Sequence, residues 1–190
     1  MQADIAVVGL AVMGQNLVLN LARNGFGVVG YNRSLSRVDD LLARAKEMSL
    51  SVLGANSLEE MLAQLKKPRI VLLMVQAGGP VDAVLDQLVP MLDKGDIVLD
   101  GGNSFFKDTQ RRTVALEEKG LLYMGVGVSG GEEGALNGPS IMPGGSQAAW
   151  QAVEPLLKAI SAHVDGESCC EFIGFRMFLP VFWYAPQPFL

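Results

Sequence analysis

Gly9, Ala11 and Gly14 stand in a Gly-x-Ala-x-x-Gly spacing directly after the apolar run Asp4-Ile5-Ala6-Val7-Val8. Glycines so placed permit a tight turn and let backbone approach a bulky anion closely. A helix-forming run follows, and the start of a helix offers free N–H groups and the positive end of a dipole. The chemistry this suits is holding a pyrophosphate. Gly9, Leu10, Ala11, Val12, Met13 and Gly14 are therefore candidate dinucleotide contacts. A purely structural turn in an ordinary α/β domain would read similarly, and Ala11 replaces the usual middle glycine.

Asn32-Arg33-Ser34 follows the next apolar run. A site selective for NAD would place a carboxylate here for the ribose hydroxyls; a guanidinium and a hydroxyl instead suit a 2′-phosphate, which points to NADP. A solvated loop arginine is the alternative. Asp100-Gly101-Gly102-Asn103-Ser104 reads either as a ligand loop in which Asn103 donates and accepts, or as a glycine turn before a capped helix. Val128-Ser129-Gly130-Gly131-Glu132-Glu133-Gly134-Ala135 and Gly138-Pro139-Ser140-Ile141-Met142-Pro143-Gly144-Gly145 are too rich in glycine for a core and read as ligand loops or as mobile structural ones. Glu132 and Glu133 suit capping or orientation better than an acid–base pair. His163, the one histidine, reads as a surface group at a helix end. No metal-ligand cluster and no Ser/His/Asp or Cys/His set can be assembled.

Strand-like and helical runs alternate along the chain and must position these loops. Strands are expected at 4–8, 26–31, 69–75, 96–100 and 121–126, and helices at 12–24, 36–47, 57–66, 80–92, 108–119 and 148–161. The alternation predicts an α/β fold: a doubly wound, mostly parallel Rossmann-type sheet with helices on both faces, its ligand loops beyond the carboxyl ends of the strands.

The 190 residues suit one domain, with 49% hydrophobic and 18% charged content. A net charge of −5 argues against a nucleic-acid surface. The two cysteines, Cys169 and Cys170, are adjacent and poorly placed to pair, which suits a reduced, cytoplasmic setting. No signal peptide and no membrane span are expected. Six of the thirteen aromatic residues fall in 175–190, a segment with neither helical nor strand period.

Gly9–Gly14 with Gln15-Asn16, Asn32-Arg33-Ser34, Leu65–Arg69, Val75-Gln76-Ala77-Gly78, Asp100–Ser104 and Val128–Ala135 occur together and in this order. With Gly138–Gly145, the most specific run, they resemble 6-phosphogluconate dehydrogenase over about residues 3–174. That family oxidises 6-phosphogluconate with NADP and decarboxylates the product to ribulose 5-phosphate, in the pentose phosphate pathway. The resemblance implies cofactor contacts at Gly9–Gly14, Asn32, Arg33, Ser34, Val75, Gln76, Ala77 and Asn103. It implies substrate contacts at Asn103, Ser129, Gly130 and Gly131, no metal, and a homodimer. The family's catalytic Lys and Glu and its all-helical domain would follow Gly174. Residues 175–190 match none of that pattern; a frameshift, a misread intron or an alternative exon would each leave such an end. The expectation is thus a binding domain over 1–174, an irregular aromatic tail over 175–190, no catalytic residue in this chain, and an incomplete substrate site. Another β-hydroxyacid dehydrogenase and a non-catalytic NADP-binding module are the competing readings.

Overall fold

The computed structural model describes residues 2–174; the segment 175–190, and the expectation of an irregular tail, lie outside the described residues. The main sheet contains β1 (Ile5–Val8), β2 (Val28–Tyr31), β3 (Leu53–Ala55), β4 (Ile70–Leu73), β5 (Ile97–Asp100), β6 (Leu122–Ser129) and β7 (Ser140–Gly145). Their spatial order is β3-β2-β1-β4-β5-β6-β7. Every neighbouring pair is parallel except β6 with β7. The helices are α1 (Val12–Arg23), α2 (Ser36–Glu47), α3 (Leu58–Ala63), α4 (Gly79–Leu88), α5 (Phe106–Glu117), α6 (Gly131–Asn137) and α7 (Gln147–Ile160). A short hairpin, β8 (His163–Val164) with β9 (Glu167–Ser168), follows α7.

The two-residue alternation of a strand explains the layers. Along β1, Ile5 and Val7 join the cluster that holds Leu17 and Leu21 of α1, Leu41 of α2 and Leu157 of α7. Ala6 and Val8 point the other way, into the cluster with Met61 of α3, Leu85 of α4 and Leu116 of α5. Both faces are covered, so β1 reads as an unbroken apolar run. Burying each leucine contributes about 1.5–3 kcal/mol. The doubly wound expectation is borne out.

Three details differ from the sequence reading. The 80–92 helix stops at Leu88 and gives way to a 3₁₀ turn, Val89–Met91, that contains Pro90. The short edge strand β3 was not expected. The two glycine-rich runs are mostly regular: β6 continues to Ser129, residues 131–137 form α6, and 140–145 form β7. Glycine hides β7 from composition because its backbone packs tightly; a Cβ on Gly145 would lie 2.7 Å from the Tyr123 carbonyl oxygen. The chain after β9 then covers the free side of β7. The Ile141 amide donates to the Cys169 carbonyl at 2.9 Å and the Ile173 amide to the Pro143 carbonyl at 2.9 Å. This leaves less open edge for unwanted strand pairing. Among the described residues no helix is long and apolar enough to cross a membrane.

Candidate dinucleotide site

β1 lies inside the sheet, between β2 and β4, and the chain reverses into α1 through Gly9. Gly9 has φ +100°, and a Cβ there would lie 2.5 Å from the Met74 carbonyl oxygen. The turn is fastened from β2: the Gly9 amide donates to the Tyr31 carbonyl at 2.9 Å, and the Leu10 amide to Asn32 Oδ1 at 3.0 Å. Leu10 itself is fully buried, so its place is under the turn. The first bond of α1 runs from the Gln15 amide to the Ala11 carbonyl at 3.0 Å. The amides of Val12, Met13 and Gly14 precede it, and no side chain caps this end. Val12 is 42% exposed, so this amide-rich, dipole-positive end faces outward.

Arg33 and Ser34 are exposed at the end of β2, and among the described residues Arg33 forms no ion pair. Asn32 is spent on local structure, since its Nδ2 also donates to the Ser34 carbonyl at 3.2 Å. Gly9, Asn32, Arg33, Ser34, Val75 and Gln76 line one open cleft of about 630 Å³. Its other wall is the start of α4, with Gly79, Pro80, Ala83 and Val84. The sequence reading missed that wall, whose small and apolar residues carry no motif. Among the described residues no carboxylate lines the cleft.

Ala77 lies outside this lining. Asn103, exposed with φ +58°, follows β5, and the exposed Ser129, Gly130 and Gly131 run from the last residue of β6 into the first of α6. They share the sheet edge but are not walls of the cleft. A polar bridge ties the 129–131 turn to α1. Asn16 Nδ2 donates to the Glu132 carbonyl at 2.7 Å, while Arg44 donates to Gln15 Oε1 at 2.7 Å and to Asn16 Oδ1 at 2.8 Å. Glu132 and Glu133 sit exposed in the first turn of α6, where negative charge is favourable. His163 does not end a helix, because α7 stops at Ile160; it is exposed in β8. Among the described residues no group of His, Cys, Asp or Glu could hold a metal ion. Both cysteines are free, and burial pushes the Cys170 thiol up to about 11, which makes it unreactive.

A second polar cluster, also missed by the sequence reading, lies below the ends of β4 and β5. The Arg112 guanidinium is almost fully buried. Its Nε donates to Asp82 Oδ1 at 2.9 Å, its Nη1 to Ser104 Oγ at 3.0 Å and Asp100 Oδ2 at 3.3 Å, and its Nη2 to the Gly78 carbonyl at 2.9 Å and Asp82 Oδ2 at 3.1 Å. All five donors of the fork are used. Tyr123 donates its hydroxyl to Asp100 Oδ2 at 2.8 Å, and burial, then the Asp100 charge, raises its pKa.

The hydrogen bonds from Arg112, reinforced by Arg111, hold the Asp82 carboxyl down at about 2, below its ordinary 3.8. A depressed carboxylate contributes stability above its unfolded pKa and loses it as the pH falls through the folded one. The expected result is that wild-type melting temperature drops between about pH 4 and pH 2, and that Asp82→Asn starts lower and drops less over that window. Thermal melts at stepped pH test this; parallel curves for the two proteins would refute it.

The residues present fit a dinucleotide carrying a 2′-phosphate: a turn that a Cβ would fill, an uncapped helix end, and an unpaired guanidinium with a hydroxyl beside it. Comparison with known proteins is decisive for the family. The model of the NAD binding domain of 6-phosphogluconate dehydrogenase matches residues 4–174. The chain belongs to this family. Its 6-phosphogluconate dehydrogenase relatives include a decarboxylating enzyme of Saccharomyces cerevisiae, 55% identical over 174 residues, which cover 92% of this chain and 35% of the relative. A second, from Haemophilus ducreyi, is 56% identical over 91% of this chain and 36% of the relative. The chain thus spans about a third of the length of these relatives. Among solved structures, 6-phosphogluconate dehydrogenase of Plasmodium falciparum, determined apo and with NADP+ or 6-phosphogluconate, superposes with a TM-score of 0.88. It is 44% identical, covering 90% of this chain and 37% of that one.

Proposed function

We propose that this chain is the NADP-holding portion of a decarboxylating 6-phosphogluconate dehydrogenase. The observation that carries the reading is the exposed Arg33–Ser34 pair beside the uncapped start of α1, on a cleft that, among the described residues, has no carboxylate in its lining. The backbone of Gly9–Gly14 takes the pyrophosphate, with Leu10 acting only through its buried place in the turn. Arg33 and Ser34 take the 2′-phosphate, and Asn32 holds them to the turn. Val75, Gln76 and Ala77 border the cofactor, and Asn103 lies toward its nicotinamide end. Ser129, Gly130 and Gly131 face the substrate, 6-phosphogluconate. The bound nicotinamide supplies a hydride acceptor. The whole protein acts in the cytoplasm and as a homodimer; the free cysteines support the first point, and family membership the second.

One observation favours a binding module over a complete catalyst. Among the described residues no lysine, histidine or carboxylate lines the cofactor cleft, and the carboxylates next to Ser129–Gly131, Glu132 and Glu133, stand exposed in the first turn of α6, where they suit capping better than proton transfer. The expected result for the purified chain is tighter binding of NADP than of NAD, with no NADPH formed from 6-phosphogluconate. Calorimetric titration and an absorbance assay at high protein concentration test both. Equal affinities would overturn the cofactor reading. Turnover within about tenfold of a full-length relative would show that the acid–base groups are present after all.

A further inference from the structure

Arg112 touches nothing that the cofactor reading assigns, yet it is the most completely bonded side chain near the site. Its partners belong to two segments, at the start of α4 and at the end of β5. Gly78 and Asp82 open α4, directly after Val75–Ala77. Asp100 and Ser104 flank Asn103. Asn103 adopts a left-handed conformation at φ +58° between two anchors. On one side the Gly102 amide donates to Asp100 Oδ1 at 3.0 Å; on the other Ser104 Oγ accepts from Arg112 at 3.0 Å. The loops after β4 and β5 also touch directly, since a Cβ on Gly102 would lie 2.4 Å from the Val75 carbonyl oxygen. The sheet order sets β2 on one side of β1 and β4 and β5 on the other. A dinucleotide whose adenosine lies at β2 therefore extends its second half over β4 and β5.

We infer that Arg112 is a positioning residue for the nicotinamide half of the site: its fork locks the 78–82 and 100–104 segments together and, through Ser104, fixes the direction of Asn103. The inference rests on the cofactor reading above. The adenosine half depends on Arg33, Ser34 and the α1 turn, none of which Arg112 contacts. A clamp of this kind acts on one half of the ligand, whereas damage to the fold would act on both.

The test uses the whole chain and two probes, NADP and adenosine 2′,5′-bisphosphate. Ser104→Ala removes one bond of the fork and leaves both carboxylates paired; Arg112→Lys keeps the charge and loses the fork. The expected result is NADP affinity about three- to tenfold weaker for Ser104→Ala and weaker again for Arg112→Lys. Adenosine 2′,5′-bisphosphate affinity and the melting temperature of Ser104→Ala should match wild type. In an Asn103→Ala background, Ser104→Ala should have no further effect. Unchanged NADP affinity, equal weakening of both probes, or additive effects with Asn103→Ala would each overturn the inference. If wild type binds neither probe, the cofactor reading fails and takes the inference with it; if wild type binds both, only the inference is at stake.

Discussion

Arg33→Ala is expected to abolish most of the preference of this chain for NADP over NAD. The guanidinium is exposed at the end of β2 and, among the described residues, has no ion-pair partner. Its charge therefore need not be pulled from another partner to meet a phosphate. A charge-assisted bond of this kind contributes about 1.5–3 kcal/mol, so NADP affinity should fall by about 10- to 150-fold. NAD affinity should change little, because NAD has no phosphate at that carbon. Arg33→Lys should recover part of the loss, as a point charge replaces a fork. Fluorescence or calorimetric titration with both nucleotides decides it. Parallel losses for NADP and NAD would mean that Arg33 serves the fold of the loop instead.

Gly14→Ala is expected to cost both stability and nucleotide binding. From sequence, Gly14 is expected where helix and strand pack closely beside the pyrophosphate, so that Gly14→Val would intrude on both and spoil binding more than folding. The structure places the added atom against backbone, so folding is affected as well. A Cβ on Gly14 would lie 1.9 Å from the Gly9 carbonyl oxygen and 3.4 Å from Met74 Cβ. Backbone must move, and forced shifts of this kind cost about 1–3 kcal/mol or more. For a chain of this size that lowers the melting temperature by about 3–12 °C. The same movement turns the free amides of α1 away from the anion, so NADP binding should vanish. Gly134→Ala is the control, because a Cβ there would meet nothing closer than 3.9 Å and the residue lies off the cleft. If Gly14→Ala melts and binds NADP like Gly134→Ala, the packing argument is wrong.

What the sequence revealed, and what it hid, follows from how each residue signals. β1 and the turn after it were legible because an apolar run, spaced glycines and a helix-forming stretch each carry their own local pattern. Arg33 was legible because charge at a strand end is unusual where a carboxylate is expected. Arg112 was not. In the run Gln110-Arg111-Arg112-Thr113 the two arginines look alike, yet Arg111 is exposed and Arg112 is almost fully buried. Asp82 bonds both, and only the placement of Asp100, 12 positions away in sequence, with Ser104 and the Gly78 carbonyl separates them. β7 was hidden for a different reason. Strand preference rests on branched and aromatic side chains, and Pro143-Gly144-Gly145 has none; its pairing with β6 is dictated by close backbone contact. The walls at Gly79, Pro80, Ala83 and Val84 were silent because a smooth surface needs no special residue.

β1 is the first strand in the chain and lies between β2 and β4. Its second neighbour is not complete until Leu73. During synthesis β1, an interior strand of the sheet, is therefore made before β2 and β4 and waits longest for both partners. Ala3 waits with it: its amide donates to the Gln64 carbonyl, and its own carbonyl accepts from the Lys66 amide. Pairings so distant in sequence slow the search for the native arrangement. The strand that carries the dinucleotide turn is thus made before both strands it pairs with, and the contacts that hold it are closed late.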